Sequence, residues 1–300
     1  MKREPEMKKK HEVIKDPEYG YLRLEPIPTQ KEVEKYYAQE FYSSNYQMFN
    51  DSSLEVQKEE QEFTDSRWNA IYDTCVKHFG KNKNLSLFDI GFGFAQALLF
   101  FKKKGFEVSG LEPCAEGVEY AKSKGLDVYQ SGIEDFSKIG DKRYDVVTLI
   151  NVLEHLRDPV KILIEIKEKL LKKNGLLVID VPNDFNDFQT VANKEHNLNE
   201  WWVCPPNHIN YFSFDSLSKL LAQCGYKVLV KEASFPLEIF LLMGDVYVGN
   251  QKLGKVCHQK RVMFEHLMRK YGKADKLTEF YRSLANLNLG RQAVIYASPI

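Results

Sequence analysis

An apolar run, Leu85 to Ile90, ends in Gly91-Phe92-Gly93-Phe94-Ala95, and an apolar helix-forming stretch, Ala95 to Lys104, follows at once. That order predicts a strand, a tight glycine turn and a helix N-terminus. Such a turn lets a ligand approach the backbone and meet the positive end of a helix dipole. Asp89 stands two residues before Gly91. A carboxylate there repels a pyrophosphate and suits a cationic or amine-bearing ligand. Glu112 closes the next apolar run. An acidic residue at that position can accept hydrogen bonds from both hydroxyls of a ribose. Glu134 and Asp135 follow the third run, where they either meet an adenine amino group or cap a short helix. Asn151-Val152-Leu153-Glu154-His155 follows the fourth.

These residues need a scaffold, and the bulk sequence bounds it. Three hundred residues allow one large domain or one domain with additions. Lys+Arg and Asp+Glu number 42 each, so no net field recruits a polyanion and nucleic acid is disfavoured as the main partner. No apolar run reaches the roughly 18 residues of a membrane span. The stretch Met1 to Glu12 is a charge cluster without the apolar core of a signal peptide, and is expected to be a solvated tail. Five scattered cysteines give no C-x-x-C pair, so neither a disulfide framework nor a zinc site is expected, and a reducing cytoplasm is the simplest setting. No metal-ligand set stands out.

From Leu85 onward strands and helices alternate. The expected strands are Leu85–Ile90, Phe106–Leu111, Asp127–Gln130, Tyr144–Ile150, Leu176–Val181, Tyr226–Glu232 and Gln292–Ala297. Lys-Lys-Lys-Gly105, Lys-Ser-Lys-Gly125 and Lys-Lys-Asn-Gly175 read as helix ends closed by a left-handed glycine. Asp158-Pro159 reads as an N-cap with proline at the first helical position. This alternation predicts an α/β fold with a parallel sheet covered on both faces. Thr29 with Glu32 and Ser52 with Glu55 are capping-box patterns. Residues 1–80 thus read as a mostly helical extension, 81–235 as the α/β core, 236–285 as a helical insertion and 286–300 as the last core strand. Residues 182–212, rich in Pro, Trp, Asn and His, read as a long functional loop.

Phe88-Asp-Ile-Gly-Phe-Gly-Phe-Ala95, Gly110-Leu-Glu-Pro113, Ser131-Gly-Ile-Glu-Asp-Phe136, Tyr144 to Leu156 and Gly175-Leu-Leu-Val-Ile-Asp-Val-Pro-Asn183 together resemble class I S-adenosylmethionine-dependent methyltransferases. They are most similar to the ubiquinone-biosynthesis type of O-methyltransferase. Ala95 departs from the family's frequent third glycine. The resemblance implies a Rossmann-like seven-stranded sheet whose last strand inserts antiparallel beside the sixth. It implies that Asp89, Gly91, Phe92, Gly93 and Phe94 hold the methionine moiety of S-adenosylmethionine. Glu112 and Pro113 would lie at the ribose, and Ile133 and Glu134 would bracket the adenine. Asn151, with Val152, would offer its carbonyl to the ammonium, and S-adenosylhomocysteine would be the product.

The acceptor side is less defined. By the same resemblance the stretch around His208 faces the active site, and a histidine can take a hydroxyl proton near neutral pH. His208 is therefore the candidate base, with His155 at the mouth; the other role open to each is to tie its loop. Tyr36, Tyr42, Trp201, Asn207 and Tyr211 are candidate acceptor contacts or packing residues, and Arg261 in the insertion a candidate grip for an anionic group. The expected activity is O-methylation of a polar small molecule or sugar, as in surface-glycan or nucleotide-sugar biosynthesis. The alternatives are N- or C-methylation, a non-catalytic cofactor-binding partner protein, and a nicotinamide oxidoreductase. The last is opposed by Asp89 and by Gln96, which stands where G-x-G-x-x-G needs its third glycine.

Overall fold

Five parallel strands of mostly buried residues form the centre of the chain. The computed structural model describes residues 11–36, 54–81 and 84–300. In chain order the elements are β1 (Glu12–Lys15), β2 (Leu22–Glu25), α1 (Gln30–Tyr36), α2 (Leu54–Phe79), β3 (Ser86–Ile90), α3 (Gln96–Lys103), β4 (Glu107–Glu112), α4 (Ala115–Ser123), β5 (Asp127–Gln130) and β6 (Tyr144–Ile150). Then come α5 (Pro159–Glu165), β7 (Leu171–Pro182), α6 (Asp187–Glu195), β8 (Asn210–Tyr211), α7 (Phe214–Gln223), β9 (Tyr226–Ala233), α8 (Glu238–Leu242), α9 (Gln251–Lys270), α10 (Ala274–Asn286) and β10 (Gln292–Pro299).

The main sheet has the order β5-β4-β3-β6-β7-β10-β9. Strands β5 to β7 pair in parallel, and β10 runs antiparallel to both β7 and β9. This is the expected seven-stranded α/β sheet with an antiparallel last strand. Order reverses between β3 and β6, so the connections leaving their C-terminal ends run in opposite directions and leave a crevice, the usual place for a ligand in such sheets. Two apolar cores sandwich the sheet. One contains Phe88, Leu149, Leu163, Ile179, Leu217 and Ile295. The other contains Trp68, Ile71, Leu87, Leu98, Val146 and Tyr296, so α2 and α3 cover that face.

Local signals explain most boundaries. The Asp158 side chain accepts the Lys161 N–H at 2.9 Å, with Pro159 opening α5. Thr29 and Glu32 exchange capping bonds at the start of α1. Gly105 and Gly125 close α3 and α4 with φ of 88° and 69°. Gly175 departs from the expectation: it closes no helix and has no left-handed φ. Residues 172–175 instead form a bulge in β7, where the register jumps from Tyr144↔Leu171 to Val146↔Leu176. Lys172 on that bulge pairs with Asp145 at 2.9 Å.

Two further differences concern the additions. Among the described residues the N-terminal extension contains the expected helices, but it also holds the hairpin β1–β2, to which β8 adds a third antiparallel strand. The segment 182–212 is partly ordered as α6, capped by Asn186, whose side chain accepts the Gln189 N–H. Residues 236–285 are helical as expected. Tyr42 and Ser52 lie outside the described residues.

Candidate functional site at the C-terminal edge of the sheet

The glycine loop is built by close approach. Gly91 has φ 73°, and its N–H donates to the Leu111 carbonyl at 2.8 Å. A Cβ there would lie 2.7 Å from Val152 Cγ2 and 3.1 Å from Ile133 Cδ1. The predicted methionine, adenine and post-β6 residues therefore meet at one point. Gly93 donates its N–H to Glu112 Oε2 at 2.9 Å, and Glu112 Oε1 accepts the Cys114 N–H at 2.9 Å. A Cβ on Gly117 would sit 2.4 Å from the Gly93 carbonyl oxygen. Ala95, left-handed at φ 56°, is the N-cap of α3 and provides no side-chain cap, so the first turn keeps N–H groups for a ligand.

Asp89 is buried at the end of β3, and Thr148 donates its hydroxyl to Asp89 Oδ1 at 2.6 Å. Burial pushes its carboxyl up to about 7, reinforced by the Glu112 charge and opposed by Thr148 and Arg67. Phe92 is buried, while Phe94 is half-buried and stands edge-on to Tyr120 at 6.2 Å. Pro113 and Glu134 are exposed at the ends of β4 and β5. Asp135 accepts hydrogen bonds from Ser131 and Ser137, the turn-capping role of the two foreseen.

Asn151 lies just past β6 in a left-handed conformation, φ 55°. Its N–H donates to the Asp180 carbonyl, and its side-chain oxygen accepts from Gln292 Nε2 at 3.2 Å. The 3₁₀ turn Leu153–His155 follows. A loop strap holds it: Ile209 donates its N–H to the Glu154 carbonyl, and the Asn210 amide donates to the carbonyls of Leu153 and Leu156. His155 Nδ1 lies 2.8 Å from the Asn207 carbonyl. His155 and His208 stand edge to face at 5.0 Å. Burial, with the neighbouring His155 and Arg291, pushes His208 down to about 3, and burial also lowers His155. Both rings are thus held neutral. Glu154, His155 and His208 each bring one ligand-type atom within 4.8 Å of the others, a grouping of metal-ligand residue types that sequence reading missed.

Tyr211 and Trp202 are buried with Leu24 in a small core beneath the hairpin, and Trp201 packs on it, edge-on to Trp202 at 4.6 Å. The Tyr211 hydroxyl donates to the His208 carbonyl at 3.0 Å. Tyr211 and Trp201 therefore serve to hold the His208 loop. Tyr36 is half-buried at the end of α1.

Beside Asn151 a cavity of about 160 Å³ opens between α2, the end of β7, β9, β10 and the inserted helices α9 and α10. Arg261 lines it, as do Arg67, Asp180, Glu232, Glu265, Arg269 and Gln292, none of which sequence reading singled out. Asp180 alone had a signal: an acid inside the apolar run of β7. Arg67 donates its Nε to Asp180 Oδ2 at 2.6 Å, and both belong to this crevice edge. The Arg291 guanidinium pairs with buried Glu238 at 3.0 Å.

A sheet of order β5-β4-β3-β6-β7-β10-β9 with helices on both faces, a glycine loop after β3 and an acid ending β4 defines a Rossmann-like class I methyltransferase fold. Residues 61–231, more than half of the sequence, match the family model described as a methyltransferase domain, and the chain belongs to that family. The ubiquinone biosynthesis O-methyltransferase of Rickettsia canadensis (strain McKiel) is 24% identical over 171 residues, covering 54% of this chain and 71% of that protein. The protein of the same name from Vibrio atlanticus (strain LGP32) is 32% identical over 115 residues, 36% of this chain and 46% of its own. The matched part is thus about half of that second relative. A SAM dependent methyltransferase from Archaeoglobus fulgidus superposes with a TM-score of 0.53 at 16% identity, over 86% of this chain and 99% of that one. Magnesium protoporphyrin IX methyltransferase from Synechocystis gives 0.51 at 14%, over 68% and 92%. These likenesses show a shared fold.

Proposed function

We propose that the chain transfers a methyl group from S-adenosylmethionine to a hydroxyl of a small polar molecule or sugar. The observation that carries the reading is the loop of Gly91 and Gly93 locked to Glu112 beside buried Asp89. The residues fit the donor molecule. Gly91 packs directly against Val152 and Ile133, where a Cβ would clash, so the loop stays tight and its backbone stays bare at the sheet edge. Glu112 and Asp89 supply acceptors for hydroxyl and ammonium donors, and Asp89 beside the loop disfavours a pyrophosphate. The donor supplies an already activated methyl group when bound.

The chain's part is to position and to exclude water. Asp89 to Phe94 hold the amino-acid end, Glu112 the ribose, and Ile133 with Glu134 the adenine. Asn151 turns its carbonyl toward the ammonium. His208, held near 3, is a weak base, so its role in this reading is to fix the turn carrying His155. Asp180 is better placed for the hydroxyl proton: it neighbours Asn151, lines the cavity and has a buried oxygen without a partner.

Calorimetric titration with S-adenosylhomocysteine, with NAD as control, tests the reading. Binding of the first alone is expected. Binding of NAD alone overturns it.

A further inference from the structure

The cavity beside Asn151 has walls of two kinds. Ala70, Ile71, Val294 and the Tyr296 ring make an apolar side. Its charged groups are matched in sign. Asp180 pairs with Arg67, and Glu232 pairs with Arg282 at 3.2 Å. Glu265 accepts the Tyr281 hydroxyl at 2.8 Å and feels the charges of Arg269 and Arg261. A carboxylate brought into this space would face three others, and an ammonium would face three guanidiniums.

What the cavity lacks is hydrogen-bond partners. Asp180 Oδ1, Gln292 Oε1 and Arg269 Nε are all buried and all without one, while Arg67 Nη2, also buried, has only its ion pair with Asp180. Buried polar groups in folded proteins are nearly always satisfied, so three at one cavity point to a molecule that satisfies them. That molecule must donate twice and accept once. Hydroxyl groups do both. Size sets a further bound: a cavity of about 150 Å³ holds a single six-membered ring, and this one measures about 160 Å³. Position sets the last. Gln292 Nε2 donates to the Asn151 side chain and the Asp180 backbone carbonyl accepts the Asn151 N–H, so a hydroxyl held by Gln292 lies next to Asn151 of the predicted donor site.

We infer that this cavity binds the methyl acceptor, and that the acceptor's bound part is an uncharged ring carrying at least two hydroxyl groups. One hydroxyl is held by Asp180 and Gln292 next to Asn151, and another oxygen by Arg269. This rests on the methyltransferase reading above and adds the chemical class of its acceptor.

The test is binding, read by calorimetry and by saturation-transfer NMR, on protein saturated with S-adenosylhomocysteine. The neutral probes are methyl glucopyranoside, inositol and catechol. The charged ones are glucuronate, glucosamine and protocatechuate. At least one neutral probe is expected to bind tenfold or more tighter than its charged counterpart. Sugar or inositol binding against catechol binding tells which kind of ring is used. The Arg269→Gln variant should weaken the preferred probe about tenfold while the melting temperature and S-adenosylhomocysteine affinity stay put. Preference for a charged probe, or no neutral binding while S-adenosylhomocysteine binds, overturns the inference. Failure of S-adenosylhomocysteine to bind overturns the donor reading instead. The cavity lies apart from the glycine loop, so the probe titration on unliganded protein still decides the acceptor.

Discussion

At the residue scale the site depends on carboxylates held in unlike surroundings. Glu112 is fixed by two backbone N–H groups, of Gly93 and Cys114. Changing Glu112 to Gln keeps the shape but removes the charge-assisted bonds. S-adenosylhomocysteine affinity should fall by about tenfold or more, equal to about 1.4 kcal/mol, with little loss of fold. Asp89 behaves differently. Its carboxyl, raised by burial to about 7, is partly protonated at neutral pH. A cationic ligand beside it favours the ionised form and lowers that value. Ligand binding near pH 7 should therefore release protons, seen as a dependence of the binding enthalpy on the buffer's ionisation enthalpy. No such dependence would remove Asp89 from contact with the cation.

Elements place these residues, and here sequence and structure can be compared directly. The strand ends carrying Asp89, Glu112 and Asn151 were legible because each terminates an apolar run at a helix-start or turn signal. Position at the sheet's C-terminal edge then follows from parallel pairing. Alternation of apolar and polar residues from Tyr19 to Pro28 marks β2, but its partner Glu12–Lys15 was not legible, because a four-residue half-buried strand carries little periodic signal. Gly175 misled because a bulge glycine and a helix-closing glycine look alike after lysines. Arg67 and Arg269 were hidden on long helices, where single charges normally face solvent. The contact between α4 and the glycine loop makes an element-scale prediction. Gly117→Ala would put a Cβ 2.4 Å from the Gly93 carbonyl oxygen, which is backbone and cannot swing away. The helix must shift, pulling the loop from Glu112. Overpacking of this kind costs about 1–3 kcal/mol, and thermal melting with and without S-adenosylhomocysteine would show losses in both stability and affinity.

Across the whole molecule, buried ionisable groups set how stability follows pH. Burial raises Asp89 to about 7 and Asp184 to about 6, against 3.8 in the unfolded chain. The folded state then binds more protons than the unfolded state between pH 4 and about 7, and its stability declines as pH rises through that window. Glu154, Asp180, Glu232 and Glu265 are shifted in the same direction. His208, lowered to about 3, and His155 act oppositely: their contribution is present above pH 6.5 and is lost as pH falls toward 3. Maximum stability is expected near pH 6. Chemical denaturation should give about 1–2 kcal/mol less at pH 8 than at pH 6. Equal stability at the two pH values would mean that the carboxyls are ionised in both.

The small sheet that joins Leu22 to Tyr211 spans about 190 positions of sequence. Closing a loop of that length costs on the order of 4–5 kcal/mol of chain entropy before any contact rewards it. Few residues repay it: Leu24, Trp202 and Tyr211 are buried in the small core, and Tyr21 packs on Phe212 of the main one. During synthesis the hairpin strands emerge long before their third strand. They complete their sheet only after Tyr211 has been made and the parallel core has drawn the two ends together. The strap that orders the His155 turn therefore belongs to a late stage of folding, and a chain stopped short of that stage would leave the turn untied.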